Sequence, residues 1–124
     1  SALPAILDTV ILDATTESGF GGTVPIIELN GVGAGADVNG FYLTSGGSNS
    51  TIKGFVINRF TQDGILLNGT TGVTISGNYI GMNSAGTASS VNGSTGIYIY
   101  GGASGNTIGG TTAADRNVIT SGWY

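Results

Sequence analysis

Thr74-Ile75-Ser76-Gly77-Asn78-Tyr79-Ile80 lies near the middle of the chain, and both of its halves recur. The first half returns as Thr51-Ile52-Lys53-Gly54 and as Thr107-Ile108-Gly109-Gly110. The second half returns as Phe55-Val56-Ile57 and as Asn117-Val118-Ile119. A third phrase keeps step with them: Gly40-Phe41-Tyr42-Leu43, Gly64-Ile65-Leu66-Leu67 and Gly96-Ile97-Tyr98-Ile99. Gly40 to Gly64 is 24 residues and Ile52 to Ile75 is 23; the next steps are 32 and 33. The small, polar segment 82–92 (MNSAGTASSVN) supplies the excess and reads as a loop inserted into one copy. A second polar insert, 111–115, delays the last phrase. Interleaved phrases at a period in the low twenties describe one unit copied along the chain, which is the mark of a solenoid.

Each apolar burst is short and alternates, as in Phe41-x-Leu43, Ile65-x-Leu67 and Ile97-x-Ile99. Period-two alternation with β-branched residues indicates strands. No window shows helical spacing with caps, and Gly, 24 of 124 residues, falls at the ends of the bursts. Strands that recur in step cannot fold back as hairpins and keep their phrases aligned, so they coil. Each turn lays its strands about 4.8 Å from those of the turn before. The expected fold is all-β, a right-handed parallel β-helix with three sheets, roughly four to five turns and no substantial helix. Four columns should point inward: Phe41/Ile65/Ile97, Leu43/Leu67/Ile99, Ile52/Ile75/Ile108 and Ile57/Ile80/Ile119. Thr51, Thr74 and Thr107 should form an outward column. The 124 residues make one domain. Residues 1–38 form irregular leading turns, with strands at Ala5-Ile6-Leu7, Val10-Ile11-Leu12 and 25–29. Residues 39–124 form the regular turns.

Charged residues are 8% of the chain and the net charge is −4. Three basic residues, Lys53, Arg59 and Arg116, make no basic patch, so nucleic acid is excluded as a partner. The apolar runs are too short for membrane insertion as a helix. Cysteine is absent, which removes disulfides and thiolate metal sites. A Gly-, Ser-, Thr- and Asn-rich chain of this kind points to an extracellular or bacterial cell-surface location. A start at Ser1 reads as the mark of upstream sequence removed.

The phrases at 72–81 (GVTISGNYIG), 106–112 (NTIGGTT) and 116–119 (RNVI) resemble repeats of large bacterial surface and secreted proteins. Those repeats belong to the right-handed parallel β-helix group that also contains the pectate lyases. The resemblance covers about 39–119 and implies the fold. It leaves function open, because the group spans lyases, hydrolases, epimerases, adhesins and stalks. It also implies what an enzyme of this group needs. Lyases gather carboxylates around Ca²⁺ beside a basic side chain. Hydrolases set several Asp on adjacent turns with a His and a basic pair, and epimerases use Tyr, His and Asp.

This chain has no His, and its seven acids form no column. Five of them, Asp8, Asp13, Glu17, Glu28 and Asp37, lie in the leader. The best catalytic set would be Asp63 with Lys53 or Arg59; Asp63 before Gly64 reads better as a turn cap. No catalytic residue and no metal ligand is therefore assigned. Asp8, Asp13 and Glu28 offer oxygen ligands for calcium in a spacing that matches no known loop, so no cofactor is expected. Asn78 and Asn117 share a column in which the earlier turn has Phe55, and they read as structural amides.

One outward column stands apart. Tyr42, Leu66 and Tyr98 lie between inward neighbours, and Tyr100 extends the stripe. Aromatic residues at strand spacing suit a sugar ring or another chain, unless a segment such as 82–92 folds over them. The solenoid ends carry unpaired strand edges, which recruit further strands. Trp123 and Tyr124 are candidates for stacking there. The reading is a non-enzymatic structural or adhesive β-solenoid segment, a unit of a longer protein or of an end-to-end fibre. The alternative is a polysaccharide-active β-helix enzyme or a carbohydrate-binding module.

Overall fold

The computed structural model describes residues 1–120. Its strands are β1 (Ile11–Asp13), β2 (Ile27–Asn30), β3 (Phe41–Leu43), β4 (Thr51–Lys53), β5 (Phe55–Asn58) and β6 (Ile65–Asn68). They continue as β7 (Thr74–Ser76), β8 (Tyr79–Ile80), β9 (Ile97–Tyr100), β10 (Thr107–Ile108) and β11 (Val118–Ile119). Every ladder between them is parallel. The first sheet holds β3-β6-β9, the second β1-β4-β7-β10 and the third β2-β5-β8-β11. Ile6 adds a single parallel bridge to Leu43 at the edge of the first sheet. The chain visits the three sheets in the same order on each of four turns, so the molecule is a parallel β-helix. Helical structure among the described residues is confined to single 3-10 turns at Ala14–Thr16, Ser45–Gly47 and Ala113–Asp115. No helix among them is long and apolar enough to cross a membrane.

The register follows the repeated phrases. Ile52 pairs with Ile75 and Ile75 with Ile108; Ile57 pairs with Ile80 and Ile80 with Ile119. Phe41, Ile65 and Ile97 align, as do Leu43, Leu67 and Ile99. The middle two turns bury these side chains completely at Leu43, Ile52, Ile57, Ile65, Leu67, Ile75 and Ile80. Apolar area removed from water at about 25 cal/mol per Å² is the main stabilising term. Burial fades at the last turn, where Ile99, Ile108 and Ile119 are exposed.

The leader forms one turn. Ile6, β1 and β2 bring Leu12 under the Ile52 column and Leu29 under the Ile57 column. The sequence shows this turn poorly because long Gly-rich corners separate its strands. Those corners carry no repeated phrase.

Two kinds of corner hold the turns in step. Gly54 and Gly77 close the Thr-Ile-x-Gly phrase at φ of +80° and +66°, a region that disfavours any residue with a Cβ. Gly64 precedes the first sheet for a different reason. A Cβ there would stand 2.7 Å from both the Gly96 carbonyl oxygen and Ile80 Cγ2, so turns of this spacing admit only glycine.

Polar corners are bonded from turn to turn. Asn78 Oδ1 accepts from Phe55 N–H at 2.9 Å, and its Nδ2 donates to the Ile52 carbonyl at 3.0 Å. One turn on, Asn117 Oδ1 accepts from Asn78 N–H at 3.0 Å, while Asn117 Nδ2 donates to the Ile75 carbonyl at 2.8 Å. Each amide thus satisfies an N–H that the bend leaves without a ladder partner and adds a second bond to a carbonyl, that of Ile75 being bonded already by the Gly109 N–H at 2.8 Å.

Candidate functional site

The acidic and basic groups of the chain are largely spent on the fold. Asp63 is buried, and its carboxylate accepts from the Thr95 N–H at 3.0 Å and from the Thr95 hydroxyl. One turn earlier, Asn39 Oδ1 accepts from Asp63 N–H at 3.0 Å. Asp63 is therefore the middle member of an Asn39/Asp63/Thr95 corner column. Lys53 stands elsewhere, opposite Asp13 on the second sheet. Arg59 sits exposed at a left-handed corner with φ of +59°. The hydrogen bonds of Asp63 run to Thr95 and Asn39, not to either cation.

The leader acids do not converge. Asp13 lies on the second sheet, where its carboxylate accepts from the Thr15 N–H at 2.9 Å and the Thr15 hydroxyl at 2.5 Å. Glu28 lies on the third sheet, where Asn58 Nδ2 donates to it at 2.8 Å and Asn30 Nδ2 at 3.4 Å. Asp8 is exposed beside the first sheet. Among the described residues no three acidic side chains form a metal-sized cluster.

Two carboxyls are shifted. The Thr15 hydroxyl holds Asp13 below its ordinary 3.8 against some desolvation, with Thr15 N–H and Lys53 adding to the effect. The Thr112 hydroxyl, then the Thr112 N–H, do the same for Asp115. Each folded-state pKa is depressed, so each contribution is present above the unfolded value and is lost as pH falls through the folded one. The thermal midpoint should be flat between about pH 7 and 5 and should fall below about pH 4. A midpoint that rises on acidification would reject this assignment.

What the fold leaves open is the outer face of the first sheet. Tyr42, Leu66 and Tyr98 are in register on three successive turns. Tyr42 and Leu66 are half-buried, and Tyr98 is 49% exposed. Tyr100 faces the same way one column over, opposite Asn68, and is 40% exposed. The Tyr98 and Tyr100 rings stack with centroids 5.1 Å apart and planes inclined by 11°. Asn68 Nδ2 donates to the Tyr42 hydroxyl at 3.2 Å. Loss of hydration, and then the neighbouring Tyr42, raise the Tyr100 phenol above its ordinary 10.0. The result is a flat apolar platform edged by phenol hydroxyls and one amide. From Tyr42 to Tyr98 it runs two turns, or about 10 Å.

The 82–92 segment does not cover this platform. It is a small hairpin, with Met82 bridging antiparallel to Ser89 and Asn83 Oδ1 accepting from Thr87 N–H at 2.9 Å. Its Gly86 packs on the Tyr79 ring, and the Met82 carbonyl accepts from Asn58 Nδ2 at 2.8 Å, so it lies on the third sheet. Val56 and Asn58 project from that sheet away from the core and are nevertheless fully buried.

Asn68 is a member of the platform that the repeats do not reveal, since it shares no phrase with Tyr100 and meets it only through register. Trp123 and Tyr124 lie outside the described residues. No family model, no curated protein and no solved structure matches the chain.

Proposed function

We propose that the chain is a non-enzymatic structural segment of a bacterial surface or secreted protein. It is a stiff β-solenoid that contacts a polysaccharide through the outer face of its first sheet. One contrast carries the reading. Asn39, Asn78 and Asp63 inside the regular turns are bonded into corners, whereas among the described residues no segment folds over the Tyr42/Leu66/Tyr98/Tyr100 face. Tyrosine offers a flat apolar body for a sugar ring and a hydroxyl for its edge. The extracellular placement rests on composition, namely few charges and no cysteine.

Affinity electrophoresis through gels containing neutral and uronic-acid polysaccharides tests the platform. The wild-type chain should be retarded by at least one of them. Tyr98→Ala/Tyr100→Ala should weaken the retardation on the order of tenfold, as expected for two aromatic contacts of about 0.5–1.5 kcal/mol each. Retardation that survives the double substitution would remove the platform from the proposal. An unsaturated product formed from uronic-acid polymers with calcium would replace the non-enzymatic reading with a lyase.

A further inference from the structure

The two ends of the coil expose apolar surface in matching register. On the last turn, Ile99, Ile108 and Ile119 terminate inward columns and are 41%, 40% and 43% exposed. The strands that carry them, β9, β10 and β11, have no strand on their outer edge among the described residues and hold no charged side chain. On the first turn, a concavity of about 490 Å³ opens among Leu3, Ile6, Leu7, Val10, Leu12 and Phe41. Leu7 in its lining and Ile11 beside it are 63% and 75% exposed.

We propose that these two faces bind each other, so that the first turn of one copy seats on the last turn of the next as if it were a fifth turn. The register inside the chain says which residues meet. Ile6 belongs to the Leu43/Leu67/Ile99 column, Leu12 to that of Ile108 and Leu29 to that of Ile119. Stacking therefore sets Ile99 on Ile6, Ile108 on Leu12 and Ile119 on Leu29. In the outward columns, Thr107 meets Ile11 and Tyr100 meets Leu7, which covers two of the most exposed apolar side chains of the first turn. The parallel edges also supply each other with backbone partners.

Charge disfavours two first turns meeting, and strand direction disfavours two last turns, whose edges would meet antiparallel and out of column register. Residues 1–38 hold five acids (Asp8, Asp13, Glu17, Glu28, Asp37) and no Lys or Arg. Two first turns together would oppose five carboxylates to five. Residues 93–120 hold only Asp115 and Arg116, which cancel. A contact between unlike faces does not close on itself, so assembly continues past two copies.

Light scattering against concentration, with no polysaccharide present, reads this directly. The mean mass of the wild-type chain should rise without levelling at two copies. Ile11→Lys disables the first-turn face and Ile108→Lys the last-turn face, both at exposed positions whose folding circular dichroism checks. Each variant alone should remain a single copy. Their mixture should give a one-to-one pair and stop there, because each retains the face that the other lacks. A wild-type mass fixed at one copy would overturn the proposal and leave those faces to another occupant, such as further turns of a longer chain. A mass that levels at two copies, or a mixture of variants that stays single while the wild type grows, would overturn it equally. The wild-type measurement decides alone if either variant fails to fold.

Discussion

Asn78→Leu is expected to lower the unfolding free energy by about 1–3 kcal/mol, because it strands the Phe55 N–H without an acceptor. Phe55 N–H loses its acceptor, whereas the Ile52 carbonyl, in register with Ile75 in the parallel ladder, loses only a second donor. Asn78 is fully buried, and leucine fills similar space, so water has no room to replace the amide. Thermal denaturation measures the effect, at roughly 4 °C of midpoint per kcal/mol for a domain of this size. Asn117→Leu is the internal comparison. It occupies the same column on the last turn, where it is only half-buried, and solvent can take over part of its role. Its cost should be clearly smaller. Equal costs at the two positions would mean that burial is not what makes the amide valuable.

The second large effect is expected at Leu67→Ala, about 2–5 kcal/mol from lost transfer energy and the cavity left behind. Leu67 is fully buried between Leu43 and Ile99 and belongs to the apolar cluster that runs up the coil. Ile99→Ala truncates the next member of that column. Ile99 is already 41% exposed, so the loss should be well under half as large. Chemical denaturation of the pair, read by midpoint at constant slope, separates the two outcomes. A Leu67 variant as stable as the wild type would mean that the column is not the core.

Most of the architecture was legible in the sequence because the coil repeats, and repetition turns a weak strand signal into a register. The Ile52/Ile75/Ile108 and Ile57/Ile80/Ile119 columns can be read from phrases alone, and so can the Asn78/Asn117 corner. Features that depend on a non-repeated contact were not legible. Asn92 Oδ1 accepts from Phe60 N–H, and Asn106 Oδ1 from Val73 N–H, each across a turn, yet both sit in corners without a phrase of their own. The Glu28–Asn58 contact joins the irregular leader to a regular turn. Val56 has the alternation of a solvent-facing residue and is nevertheless fully buried, which no local pattern encodes. Of the platform, Tyr42, Leu66 and Tyr98 followed from alternation. The Tyr98–Tyr100 stack and the Asn68 bond to Tyr42 needed side-chain geometry.

The hairpin at 82–92 also bears on how such a chain tolerates new material. It leaves the coil after Ile80 and re-enters with Ser90 N–H bonded to the Gly81 carbonyl at 2.7 Å, so its entry and exit are neighbours. The turns on either side keep their alignment, with Ile65 still opposite Ile97 and Ile80 opposite Ile119. Ile80 to Ile97 is 17 residues where Ile57 to Ile65 is 8, and the nine extra have been absorbed without displacing a single rung. The rod thus has a graft point, where a longer or wholly foreign peptide can be carried as a side branch while the shaft stays unchanged.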